Sequence, residues 1–239
     1  MTELLYQINS YQREFQAAIT VTDAEARAVL LDRSAFYPGG GGQPADSGVL
    51  IWQGASLPVE RVRKDSDGIW HVLSGDAPLP PVGAVVTGQI DWPRRYALMR
   101  THTAMHILCG VVFRDFGALV TGGDMEPLHG RMDFEFESLT KDLVSVIEEA
   151  VNREVAASRP VKAAILPREE AFQIPDLIRT KINLLPPEIS HIRTIELVGL
   201  DLQADGGTHV QNTAEVGRMR IVDYKSKGRI NKRIYVELD

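Results

Sequence analysis

The chain has 239 residues, of which 44% are hydrophobic and 24% charged, and 26 Lys and Arg against 32 Asp and Glu give a formal net charge of −6. That composition is ordinary for a globular protein able to bury a sizeable core, and the acidic balance argues against broad, sequence-independent binding to nucleic acid while leaving room for a local basic groove. No apolar run reaches about 18 residues, the first ten residues hold Glu3 but no Lys or Arg, and Cys109 is the only cysteine, so the expectations are no membrane span, no signal peptide, no intrachain disulfide and a reducing cytoplasm.

Short β-prone runs come first: Ala17 to Thr22, Ala28 to Asp32, Gly48 to Trp52, Gly68 to Leu73 and Ala84 to Ile90. Glycine, proline and aspartate punctuate them at short spacing, including the turn-rich stretch Asp76 to Gly83. This pattern predicts a small antiparallel barrel. The character changes after Asp91. From Pro93 to about Phe116 the pattern is helical, with Tyr96, Met99, Thr103, His106, Leu108 and Val112 near one another on a wheel and proline in the first turn. A second helix is expected from Leu139 to Ala157, capped by Ser138 or Thr140, with Leu143, Val146, Ile147, Val151 and Val155 as its apolar stripe. Strands follow at Val161 to Leu166 and Thr194 to Val198, then a pair, Gly217 to Tyr224 and Ile230 to Leu238, joined by a turn at Lys225 to Gly228. The predicted fold class is α+β: a barrel domain over 1–91, then an α+β domain over 92–239.

Two histidine motifs carry the chemistry. His102-Thr103-Ala104-Met105-His106 lies in the first predicted helix, where four-residue spacing puts both imidazoles on one face. Asp205-Gly206-Gly207-Thr208-His209 has the same spacing, but its two glycines indicate a turn. Three imidazoles and a carboxylate can close around one zinc ion, or three of them can bind and leave a position for water. A lone histidine pair is more often helix surface than a metal site; the third histidine raises the metal reading. Position 103 is threonine, so the glutamate general base of zinc proteases is missing. His71, His129 and His191 have no partners at ligand spacing, and His129 is expected in a loop.

Further motifs stand in order along the chain. Phe36-Tyr37-Pro38 leads into Gly39 to Gly42, Gln43 and Asp46-Ser47-Gly48; Asp91-Trp92-Pro93-Arg94-Arg95-Tyr96 leads into the first histidine pair; Gly206-Gly207-Thr208-His209-Val210 is followed by Asn212-Thr213 and Glu215-Val216-Gly217. In these stretches the chain resembles the freestanding alanyl-tRNA editing proteins, relatives of the editing domain of alanyl-tRNA synthetase, over nearly its whole length. The resemblance implies a zinc-dependent hydrolase with one Zn2+ per chain that removes serine, and in some members glycine, from mischarged alanine tRNA. It also implies that 92–239 is the editing domain. The family usually has cysteine where this chain has Asp205. That aspartate can be the fourth ligand, hold a metal-bound water, or orient a histidine from outside the ligand set. Cys109 is a weaker substitute, because a further turn of helix carries it away from the common centre; a buried structural thiol is the better reading.

The remaining expectations concern substrate. The glycine run at 39–42 lets a backbone approach a phosphate or sugar, and the resemblance places Gly40, Gly41, Gly42 and Gln43 near the tRNA 3′ end; a tight barrel turn is the alternative. No Lys-Ser/Thr ending follows it, so it is no nucleotide-triphosphate loop. Thr121-Gly122-Gly123-Asp124 is read as a second glycine loop, which the resemblance places along the amino-acid pocket, with Asp124 available to an ammonium or hydroxyl group. Thr103, Thr121 and Thr208 are candidate partners for a substrate hydroxyl, since a site that hydrogen-bonds a hydroxyl strongly rejects the analogue lacking it. Arg94, Arg95 and Arg100, and then Lys225, Lys227, Arg229, Lys232 and Arg233, form two basic groups suited to tRNA phosphates, or simply a solvated surface. Zinc can activate a water or hold a substrate group. Two rivals stay open: a zinc hydrolase of another small ester, and a non-catalytic tRNA- or metal-binding module.

Overall fold

Alternating burial builds the first part of the chain. In the computed structural model, which describes residues 2–180 and 189–239, the unit Met1–Tyr96 opens with β1 (Glu3–Leu4) and α1 (Leu5–Ile8). Then come β2 (Glu14–Asp23), β3 (Ala28–Leu31), β4 (Arg33–Ser34), β5 (Gly48–Trp52), β6 (Ala55–Lys64), β7 (Ile69–Leu73) and β8 (Val85–Ile90). Strands β2-β3-β7-β6-β5-β8 close into an antiparallel barrel. Every second residue points inward, so Phe15, Ala17 and Ile19 of β2 meet Leu57, Val59 and Val62 of β6 and Val86 and Ile90 of β8. Strand β3 is covered on both faces: Val29 and Leu31 join that interior, while Ala28 and Leu30 pack with Trp70. The sequence pattern did not show β6. A bulge between Val59 and Arg61 breaks its alternation: Leu57, Val59 and Val62 point inward, while Pro58, Glu60, Arg61 and Lys64 stand at exposed outward positions.

His71 is fully buried in β7, with Nε2 2.8 Å from Ser34 Oγ. Burial pushes this imidazole down to about 4. The unfolded chain takes up the proton near the ordinary value of about 6.5. The unfolded state therefore binds more protons between these values, and the stability tied to neutral His71 is complete above them and lost as pH falls through that window. The expected loss by pH 4 is about 3 kcal/mol. Chemical unfolding of the wild type and His71→Gln from pH 8 to 4 checks it: the variant should lose less of its stability on acidification, and equal slopes would refute the assignment.

The unit Ala97–Asp239 contains most of α2 (Trp92–Phe116), followed by β9 (Val120–Glu126), β10 (His129–Glu135), α3 (Lys141–Ala156), β11 (Val161–Pro167), α4 (Arg168–Ala171), β12 (His191–Leu197) and β13 (Asp201–Ala204). A 3-10 turn (Thr213–Val216), β14 (Met219–Ser226) and β15 (Asn231–Leu238) complete it. Among the described residues its strands form the sheets β14-β15-β10-β9 and β11-β12-β13. Helix α2 is buried all round from Thr101 to Gly110, not on one face as its wheel suggested. Thr140 caps α3, accepting a bond from the Leu143 N–H, and Ser138 does not. Its buried stripe is Val144, Ile147, Val151 and Val155; Val146, expected inside, is 51% exposed. The stretch read as a second glycine loop is strand β9, and His129, expected in a loop, opens strand β10.

Candidate metal centre

Helix geometry sets the first half of the centre. His102 and His106 lie one turn apart in α2 with ring centroids 5.3 Å apart. The second half is the turn after β13. There the Asp205 carboxylate accepts the Gly207 N–H at 2.7 Å, and Arg193 of β12 donates to the carbonyls of Asp205 and Gly207 at 3.0 and 2.8 Å. That turn brings His209 to 4.2 Å from the His102 ring and 4.8 Å from the His106 ring. One donor atom from each of His102, His106, Asp205 and His209 can be chosen so that all lie within 4.8 Å of one another.

The donor set fits a divalent ion of zinc's kind. Bonds of roughly 2.0–2.1 Å to a tetrahedral centre place donors a little over 3 Å apart. His102 Nε2 lies 3.4 Å from Asp205 Oδ1, and Asp205 Oδ2 lies 2.9 Å from His209 Nε2. Burial pushes His102 down to about 4 and His209 well below its ordinary value, so both imidazoles are neutral and keep a lone pair. Burial also opposes charge on Asp205, but attraction to His102 and the hydrogen bond from His209 outweigh it and hold the carboxyl well below the usual range. His106 goes the other way. Burial pulls it down, yet its bond to Asp201 wins and raises it.

Several candidate residues stand elsewhere or do other work. Thr103 is buried, with Oγ1 3.2 Å from His209 Nδ1 and accepting the Val210 N–H at 3.2 Å, so it positions a cluster histidine. Thr208 is likewise fully buried beside His209 in the chain. Thr121 and Asp124 are exposed on β9; Thr121 donates to Asn231 Oδ1 at 2.9 Å, and Asp124 pairs with Arg131 at 3.3 Å. Cys109 is buried outside the cluster, and burial pushes its thiol up, which leaves it neither ligand nor nucleophile.

The basic residues sort by burial. Arg95 has no exposed surface: it donates to the Asp46 carboxylate, with Nε 2.9 and 3.1 Å from its two oxygens, and to the carbonyls of Ser10 and Ala35. The expected phosphate contact at Arg95 is thereby corrected, because its donors close the glycine-rich loop instead. Arg100 donates to the carbonyls of Val216 and Asp239. Lys232 donates to the carbonyls of Gly228 and Arg229, and Arg233 forms a two-bond pair with Asp133. Arg94 is half-buried and donates to Ala45 O at 3.2 Å. Lys227 and Arg229 are exposed at the β14–β15 turn. In the glycine loop φ is positive at all four glycines, which only glycine adopts freely, and Gly40 and Gly41 are exposed while Gln43 is buried.

Sequence reasoning missed Asp201 and Arg193, and took Asp46 only as part of the glycine-rich motif. The available signal was a charged residue inside an otherwise apolar run, as in Leu200-Asp201-Leu202.

Comparison with known proteins gives a consistent result. Residues 2–94 match the family model for class II (A) tRNA synthetases, and residues 192–235 match the second additional domain of threonyl and alanyl tRNA synthetases. The chain is 42% identical to the alanyl-tRNA editing protein AlaX-M of Saccharolobus solfataricus, over 98% of each chain. It is 38% identical to the protein of the same name from Methanosarcina acetivorans, over 100% of this chain and 99% of the relative. It is also 38% identical to an alanine–tRNA ligase of Pyrobaculum neutrophilum, where 92% of this chain matches only 25% of the ligase.

Proposed function

The chain belongs to the alanyl-tRNA editing proteins, and from that premise we propose that it is a trans-editing hydrolase that uses one Zn2+, held by His102, His106, Asp205 and His209, to release serine or glycine from alanine tRNA. It deacylates mischarged alanine tRNA, cleaving the ester between the amino acid and the 3′ end. The observation that supports the metal reading is the convergence of three imidazoles and one carboxylate from two distant stretches of chain. We assign the chemistry to the editing domain at 92–239.

When bound, the ion supplies Lewis-acid chemistry, activating a water or anchoring a substrate group. The chain's own residues organise the rest. Thr103 Oγ1 lies 3.2 Å from His209 Nδ1, which leaves Nε2, on the Asp205 side, as the nitrogen that would hold the ion. Arg193 holds the turn so that Asp205 and His209 reach the same centre. Asp205 supplies oxygen where the family usually has a thiolate. Thr121 and Thr208 remain candidates for the serine hydroxyl, and Asp124 for the ammonium group. The loop backbone at Gly40, Gly41 and Gly42 suits the RNA 3′ end; Lys227, Arg229 and Arg94 suit its phosphates. Among the described residues no helix is long and apolar enough to cross a membrane, and we place the protein in the cytoplasm with its tRNA partner.

Deacylation of Ser-, Gly- and Ala-charged alanine tRNA tests the reading. Serine or glycine release well above alanine release is expected. A chelator should remove it and added zinc restore it. Chelator-insensitive release would overturn the zinc assignment, and release from free esters alone would favour a general esterase.

A further inference from the structure

Resting on the zinc reading above, we infer that Asp201 is a positioning residue for the metal centre, holding His106 by Nδ1 so that Nε2 is the nitrogen presented to the ion. The Asp201 side chain is fully buried, and its Oδ2 lies 3.2 Å from His106 Nδ1. The carboxylate is held from other directions as well. Gln203 Nε2 donates to Oδ2 at 2.6 Å, and Arg179 Nε donates to Oδ1 at 3.4 Å. Both partners are tied to the helix that carries His106: Gln203 also reaches Cys109 Sγ at 3.3 Å, and the Arg179 guanidinium lies 3.8 Å from the centre of the Phe113 ring. So the carboxylate is fixed relative to α2, and the imidazole is fixed through it.

The close approach of β13 to α2 depends on Gly110, one turn beyond His106. A Cβ at that position would lie 3.0 Å from Asp201 Cβ and 3.0 Å from Leu200 Cγ. A larger residue would have to push the carboxylate away from the histidine. His106 and His209 thus differ in what orients them: an anion in one case, the Thr103 hydroxyl in the other. Hydrogen bonds to an ionised acceptor are roughly twice as strong as neutral ones, so His106 is the more firmly set of the two.

The test is zinc affinity by chelator competition on the full chain, wild type against Asp201→Asn, with thermal unfolding of both metal-free proteins. Asparagine keeps an acceptor oxygen but removes the charge. The expected result is a 10–100-fold loss of zinc affinity, within the range typical for removal of such a partner. Deacylation should fall in parallel and return in excess zinc, which a merely structural lesion would not allow. Unchanged zinc affinity, or a loss of deacylation that excess zinc leaves in place, overturns the inference. Long-range 1H–15N NMR of the zinc-loaded wild type needs no variant: His106 should carry its proton on Nδ1 and coordinate through Nε2, and coordination through Nδ1 overturns the inference even if Asp201→Asn fails to fold. A wild type that takes up no zinc refutes the metal reading itself, whereas the other adverse results strike Asp201 alone.

Discussion

A His102→Ala/His106→Ala double variant is expected to lose stoichiometric zinc and to deacylate mischarged alanine tRNA roughly a thousandfold more slowly, the scale of several kcal/mol of Lewis-acid stabilisation. Both imidazoles come from one turn of α2, so the variant leaves only the Asp205–His209 half of the donor set. The fold should survive. In the metal-free protein the three rings crowd within 5.3 Å of one another, buried where charge is penalised, and His102 and His209 are already forced to be neutral. Removing two of them leaves Asp205 with His209, the Gly207 N–H and Arg193, and Asp201 with Gln203 and Arg179, so both buried carboxylates keep partners, at the expense of some cavity formation. Metal analysis, thermal unfolding and single-turnover deacylation on the same preparation check this. A double variant that keeps wild-type rates would move the chemistry away from this cluster altogether.

Asp46→Ala should cost the barrel unit about 3–5 kcal/mol, since it strands a buried guanidinium without its counter-charge. The Asp46–Arg95 pair is almost wholly enclosed, with side-chain exposures of 1% and 0%. Asp46 also accepts the Tyr37 N–H at 2.6 Å, and its own N–H donates to Tyr37 O at 3.0 Å, so one residue closes both ends of the glycine-rich loop. Loss of the carboxylate therefore removes one of the two loop-closing bonds as well as the cation's partner. An Asp46→Leu/Arg95→Met double variant should recover part of the loss, because replacing a buried pair with apolar groups of similar size is often neutral or stabilising. Urea unfolding of the single and double variants checks it. A loss below about 1 kcal/mol for Asp46→Ala would place the pair in the solvent-screened class instead.

The parts of the fold that were legible in the sequence share a physical cause. Strands β2, β3, β5, β7 and β8 and helices α2 and α3 follow from local composition and spacing, although β3 and α2 are buried on every side rather than on one face. Strand β6 escapes notice because a bulge between Val59 and Arg61 breaks its period of two, so that Leu57, Val59 and Val62 face inward at uneven spacing. Gly122 and Gly123 disguise β9 as a loop, although cross-strand pairing with β10 holds them extended: Gly122 faces Asp133 and Gly123 faces Met132. In α3, Ile147, Val151 and Val155 are buried as expected, but Val144 is inside and Val146 outside. There the neighbouring strand β14, whose backbone bonds to Asn152 and Glu148, sets which face is covered.

The candidate site divides along the same line. The spacing of His102 and His106, and of Asp205 and His209 around two glycines, determined from sequence alone which side chains could meet one ion, since a helical turn and a tight turn are decided by near neighbours. Only the folded chain decided that the two halves converge, that Arg95 faces Asp46 rather than RNA, and that Asp201 stands behind His106. Those partnerships join residues 49 to 107 positions apart, and no periodicity of the chain encodes them. They follow from packing: once the apolar faces are buried, each enclosed charge must find its counter-group within the same interior.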